Sequence, residues 1–153
     1  MKKFCFLLMS IFLLASCSSD NEIVRMETIS VYVDSLDWYY SNEPNNNYFC
    51  AYVDQLPEFT EHVFDYGAVK AYLVSDRLDY CRARKNILPY VFHKEYFAVD
   101  NSWESFTETI DFTYGIGWAE FYFTRSDFYY ELDESINPPS MEFDIVITYP
   151  HKE

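Results

Sequence analysis

The chain has 153 residues, is half hydrophobic and 21% aromatic, and sets 11 basic against 25 acidic residues. A formal net charge of −14 repels nucleic-acid phosphates and anionic lipid headgroups, which excludes both as charge-matched partners. High aromatic content with only three glycines excludes a disordered chain and leaves too few glycines for a phosphate-cradling loop.

The first element is residues 1–16. Lys2 and Lys3 precede an apolar run from Phe4 to Leu14 broken only by Ser10, and Ala15 and Ser16 are small enough for a signal-peptidase pocket. As a helix the run reaches roughly 16 Å, short of the roughly 30 Å a membrane span must cross, so a cleaved secretory signal is expected. Leu14-Ala15-Ser16-Cys17 resembles the lipobox of bacterial lipoproteins, which implies diacylglycerol on the Cys17 sulfur and Cys17 as the first mature residue. The alternative is an ordinary secretory signal followed by a chance cysteine. Several acyl chains, at about 0.8 kcal/mol per buried methylene, would hold the protein on the membrane permanently.

After Cys17 come Ser18-Ser19-Asp20-Asn21-Glu22, polar and acidic with nothing to bury, and residues 17–26 read as a flexible tether. Serine and acid directly after the cysteine resemble the export signal of surface-exposed Bacteroidetes lipoproteins, which implies the outer face of the outer membrane. Without residues 1–16 the chain keeps nine basic residues and all its acids, a net charge of −16. Its 137 residues suffice for one domain with one core, placed at 27–150.

That domain reads as strands. Ile29, Val31 and Val33 alternate with Thr28, Ser30, Tyr32 and Asp34, the period of a half-buried strand. Tyr48–Asp54, Gly67–Val74 and Ile87–His93 follow the same rule. Phe106, Ile110, Phe112 and Tyr114 alternate with Thr107, Thr109, Asp111 and Thr113, and Gly115-Ile116-Gly117 turns the chain into Trp118–Thr124 as a hairpin. Met141, Phe143, Ile145, Ile147 and Tyr149 form the inner face of the last strand. Single helical turns are expected at Pro57–Phe64, folding Leu56, Phe59 and Val63 onto a sheet, and at Ser126–Leu132. Seven strands without long helices predict an all-β, seven-stranded antiparallel β-sandwich of Ig-like type, with an open β-barrel as the alternative.

Chemistry-bearing patterns are sparse. His62, His93 and His151 stand too far apart for zinc spacing, so no metal site and no cofactor are expected. No Gly-x-Ser-x-Gly elbow occurs, and no catalytic residues are expected. Carboxylate pairs such as Asp34 with Asp37, or Asp127 with Glu131, imitate a glycosidase acid and base, but with 25 acids near neighbours arise by chance. Glu131-Leu132-Asp133-Glu134 lacks the spacing and glycine of a calcium loop. Arg77, Arg82, Arg84 and Lys85 form a basic cluster that reads as a solvated loop.

Cys50 and Cys81 remain as thiols in a compartment that permits disulfides. A bridge would close about thirty residues and stabilise by roughly 3–4 kcal/mol if their Cα atoms lie within about 7 Å; two separate thiols are the alternative. Trp38-Tyr39-Tyr40 and Phe128-Tyr129-Tyr130 fall between strands. Their rings suit either stacking on sugar C–H faces or plugging the edge of a sandwich, and Trp38, Tyr39 and Tyr40 are the candidate ligand-stacking residues.

Leu88-Pro89-Tyr90-Val91, Thr107-Glu108-Thr109-Ile110-Asp111-Phe112, Ser126-Asp127-Phe128, Met141-Glu142-Phe143 and the upstream Gly67-Ala68-Val69-Lys70-Ala71-Tyr72 stand in the order and spacing of a family of small Bacteroidetes-type lipoproteins, which this chain resembles over most of residues 27–149. The resemblance implies a lipid anchor and one β-rich domain, with no catalytic assignment to transfer; Cys50 and Cys81 depart from it. The resulting expectation is a lipid-anchored, non-catalytic binding module that contacts a glycan or an envelope protein. A carboxylate-dependent glycan hydrolase and a structural subunit of an envelope assembly are the alternatives.

Overall fold

The structure, a computed structural model, describes residues 23–43, 46–75, 84–97, 102–126 and 137–151. The signal segment, Cys17, Cys81, Arg77, Arg82 and the 127–136 segment, with its aromatic triplet, carboxylates and expected helical turn, lie outside the described residues.

Alternating sequence folds here as alternating burial. The described residues form nine strands: β1 (Ile23–Val33), β2 (Tyr39–Glu43), β3 (Asn46–Val53), β4 (Ala68–Ser75), β5 (Arg84–Ile87), β6 (Tyr90–Phe97), β7 (Trp103–Gly115), β8 (Trp118–Arg125) and β9 (Met141–His151), with one helix, α1 (Glu61–Tyr66), between β3 and β4. They build two antiparallel sheets, ordered β1-β9-β4-β5 and β2-β3-β8-β7-β6. The architecture is all-β and sandwich-like, and the sheets do not close into a barrel.

The expected count of seven strands is corrected to nine by β2 and β5. β2 holds the Tyr39-Tyr40 pair read as loop, and pairs with β3 from Tyr39 opposite Cys50 to Glu43 opposite Asn46. β5 holds the Arg84-Lys85 part of the basic cluster and pairs with β4. The expected strand 87–93 is divided: Ile87 ends β5 in the first sheet, Tyr90 begins β6 in the second, and the chain crosses between them at Leu88-Pro89, a cis peptide. Pro89 has no N–H to donate to a ladder, which suits a sheet switch. β1 also begins at Ile23, ahead of the expected residue 27. Its backbone pairs with β9 from Ile23 opposite His151 onward, although the Val24 and Met26 side chains are exposed.

Both sheets bury their inner positions in one core. Val31, Val33, Ala71, Phe143, Ile145 and Ile147 from the first sheet meet Phe49, Ala51, Ile110, Ala119, Phe121 and Phe123 from the second. Phe121 and Phe143 stack across the interface with centroids 3.9 Å apart and planes 15° apart. α1 closes one end. The Thr60 hydroxyl caps it by accepting from the Val63 amide at 3.2 Å, and Leu56, Phe59 and Val63 are buried, as their spacing predicts. The β7–β8 turn is Ile116-Gly117, where Gly117 has φ of +81°, a conformation glycine adopts without Cβ strain. Gly117 also binds the segment before α1, donating to Phe59 O at 2.8 Å and accepting from the Leu56 amide at 3.0 Å. At Gly115 the absent Cβ leaves room for the Trp118 indole, which lies 2.5 Å from where that carbon would stand.

Candidate functional site

Inner positions of β3, β7 and β8 are spent on the core, so their alternate residues form the outer face of the five-stranded sheet. On β8 these are Trp118, Glu120, Tyr122 and Thr124, and on β7 Thr109, Asp111 and Thr113. β3 contributes Tyr48, Cys50 and Tyr52, and β2 adds Tyr39 directly opposite Cys50. The face is therefore rich in rings and in side chains able to hydrogen-bond.

Glu120 organises it. Its Oε1 accepts from the Tyr39 hydroxyl at 2.8 Å and its Oε2 from the Tyr122 hydroxyl at 2.7 Å, so one carboxylate ties β2 to β8. Tyr122 also meets the Thr113 hydroxyl at 3.2 Å. The Cys50 sulfur, burial and Glu120, in that order, push the Tyr39 hydroxyl far above the ordinary tyrosine pKa. Burial raises Tyr122 most, Thr113 offsets part of this, and Glu120 adds to it. Both phenols are consequently neutral donors that fix their rings. Cys50 lies beneath this layer, buried, with its thiol donating to the Tyr39 carbonyl at 3.6 Å.

The rings pair rather than scatter. Tyr48 and Tyr122 meet edge to face at 5.5 Å, and Tyr52 lies 5.7 Å from Trp118 with planes 31° apart. Tyr52 keeps 52% of its surface exposed. Beside the first pair is an open depression of about 310 Å³, lined by Tyr48, Thr109, Asp111, Thr113, Tyr122 and Thr124. Its volume falls at the lower end of the range typical of small-ligand sites, and it combines ring surface with hydroxyls and one carboxylate.

The residues singled out in the sequence are distributed differently. Trp38 is buried against Phe123 and belongs to the core, Tyr40 is half-buried on Phe49, and Tyr39 alone of the three joins the outer face. Consecutive residues entering a strand point to opposite sides, so the triplet presents no shared platform. Asp34 and Asp37 build a turn: Asp34 Oδ1 accepts from the Leu36 amide and Asp37 Oδ2 from the Asp34 amide, both at 3.0 Å. His62 lies with Nε2 2.9 Å from Pro150 O, packed on Tyr66 and Tyr149, while His93 faces Glu95 at 3.7 Å and His151 ends β9. Lys85 of the basic cluster is bound to Asp144 at 2.6 Å. No group of three or more His, Cys, Asp or Glu side chains able to hold a metal occurs among the described residues.

Tyr48, Tyr52, Trp118, Tyr122 and Glu120 were not singled out by motif. Their signal was the recurrence of an aromatic residue at each end of a five-residue stretch in two strands, Tyr48 to Tyr52 and Trp118 to Tyr122. Comparison with known proteins adds no likeness: no family model, curated protein or solved structure matches this chain.

Proposed function

We propose that this protein is a lipid-anchored, non-catalytic module of a bacterial outer membrane, displayed at the cell surface, that binds glycans through the outer face of its five-stranded sheet. The observation that carries the reading is the pairing of ring surface with hydroxyls around the 310 Å³ depression. Aromatic faces pack against sugar C–H groups, and threonine hydroxyls both donate and accept, as sugar hydroxyls do. The anchor is supported by Leu14-Ala15-Ser16-Cys17 and by the resemblance to Bacteroidetes lipoproteins. Among the described residues no helix is long and apolar enough to cross a membrane.

Binding is favoured over hydrolysis by the state of Glu120. Both its oxygens accept tyrosine hydroxyls, so it serves as a strut rather than a proton carrier. An Ig-like form of the sandwich belongs to the same proposal, supported by a chain that passes repeatedly between two sheets sharing one core. The test has two arms. The full chain should sediment with membranes and be released by Cys17→Ala, and on a panel of surface glycans it should give binding that Tyr52→Ala weakens. Membrane retention of the Cys17→Ala chain would remove the anchor, and turnover of a bound glycan would replace the binding role with a catalytic one.

A further inference from the structure

β3 and β8 carry rings at the same spacing in opposite directions. Cys50 stands opposite Tyr122 and Tyr52 opposite Glu120 in the ladder. Tyr48 therefore meets Tyr122, and Tyr52 meets Trp118, across one and the same diagonal offset, with Cys50 and Glu120 on that diagonal between them. The two contacts agree in size, 5.5 Å and 5.7 Å between centroids. Four residues of strand cover about 13 Å, so the face holds two aromatic stations about 13 Å apart. Midway lies the polar contact of the Tyr39 hydroxyl with Glu120. A single sugar reaches one station; a chain of sugars reaches both.

Building on the glycan reading, we infer that the ligand is an extended, neutral oligosaccharide lying along β3 and β8, with one unit stacked at Tyr48 and Tyr122 and another at Tyr52 and Trp118. Charge selects the class. Asp111 and Glu120 lie on this stretch of the face, and among the described residues no lysine or arginine occupies an outward position of β3, β7 or β8. A uronate or sulfated chain would be repelled. The same charge would attract a cationic chain, but both Glu120 oxygens already accept tyrosine hydroxyls, and the other polar side chains around the depression, Asp111 apart, are hydroxyls. The hydroxyls of Thr109, Thr113 and Thr124 are the complement a neutral, hydroxyl-rich ligand requires.

The test is calorimetric titration of the full chain with neutral gluco-, xylo- and manno-oligosaccharides of one to six units, with oligogalacturonate and oligolysine as charged comparisons. For the neutral series that binds, affinity should rise at least about tenfold between the disaccharide and the longer members, the gain expected from engaging a second aromatic anchor. Tyr52→Ala and Tyr48→Ala should each abolish that gain from opposite ends, and Tyr52→Phe should preserve it. Length-independent affinity in every series that binds, or tighter binding of oligogalacturonate, would overturn the inference and leave the glycan reading standing. Binding of oligolysine alone, or of no glycan at all, would overturn both.

Discussion

The outward faces of the two sheets are built by the same alternation, and each uses its central carboxylate differently. On the four-stranded sheet Asp144 is buried beneath its neighbours and accepts from the Ser30 hydroxyl and from Lys85 Nζ, both at 2.6 Å, so β1, β9 and β5 are bound together and the polar groups satisfy one another. On the five-stranded sheet one carboxylate fixes two tyrosines, while Tyr52 remains half exposed and threonine hydroxyls line a depression. The first face uses its buried carboxylate to hold strands together, although Tyr32 of β1 stands 65% exposed there; the second uses its carboxylate to fix two rings beside a depression. Under the glycan reading, the first carboxylate serves stability, while the second links β2 to β8 and also sets the rings proposed for recognition.

Substitutions sharpen the contrast, beginning with the layer both faces depend on. Phe121→Ala removes a ring with no exposed surface that stacks on Phe143, and should cost about 3–5 kcal/mol in chemical unfolding. On the four-stranded face, Asp144→Ala should cost about 1–2 kcal/mol. The lost hydrogen bonds are charge-assisted, but Lys85 is 55% exposed and is left in water rather than stranded. Lys85 first, then Ser30, holds the Asp144 carboxyl below its ordinary 3.8. Its contribution is therefore complete above that value and drains away as pH falls through the lowered folded value. Acid unfolding of the Asp144→Asn variant should lose this component of the pH dependence.

The five-stranded face has the opposite pH signature. Tyr39 and Tyr122 are raised above 10.0, so the stability they contribute is full below that pH and lost as pH rises through their folded values. In an alkaline titration followed by phenolate absorbance they should ionise late, and Tyr39→Phe should remove one late proton at about 0.5–1.5 kcal/mol in stability. The smallest effect is expected at Tyr52→Ala, within about 0.5 kcal/mol, because half of the ring is already in water. A large loss of stability there would make the ring structural and erase the distinction between the two faces.

The sequence displayed its fold more openly than its site. β9 and the β7–β8 hairpin were legible because strict alternation and the Gly115-Ile116-Gly117 turn leave one reading. β2 was hidden because Trp38-Tyr39-Tyr40 looks like a cluster when read along the chain, whereas the fold sends Trp38 into the core and Tyr39 to the outer face. β5 was hidden because Arg84 and Lys85 read as solvated loop, and only the fold supplies the Asp144 that binds Lys85. The ring pairs were illegible for a physical reason of another kind: Tyr48 and Tyr122, or Tyr52 and Trp118, become neighbours only through a strand register that local sequence does not specify.

The most direct measurement is chemical-shift mapping of the isotope-labelled protein titrated with a neutral oligosaccharide that binds it. Perturbations should centre on Tyr48, Tyr52, Trp118, Tyr122 and the threonines between β7 and β8, with Ser30, Asp144 and Lys85 undisturbed. Perturbations centred on the four-stranded sheet, with the tyrosine face unmoved, would contradict the division of labour between the two faces.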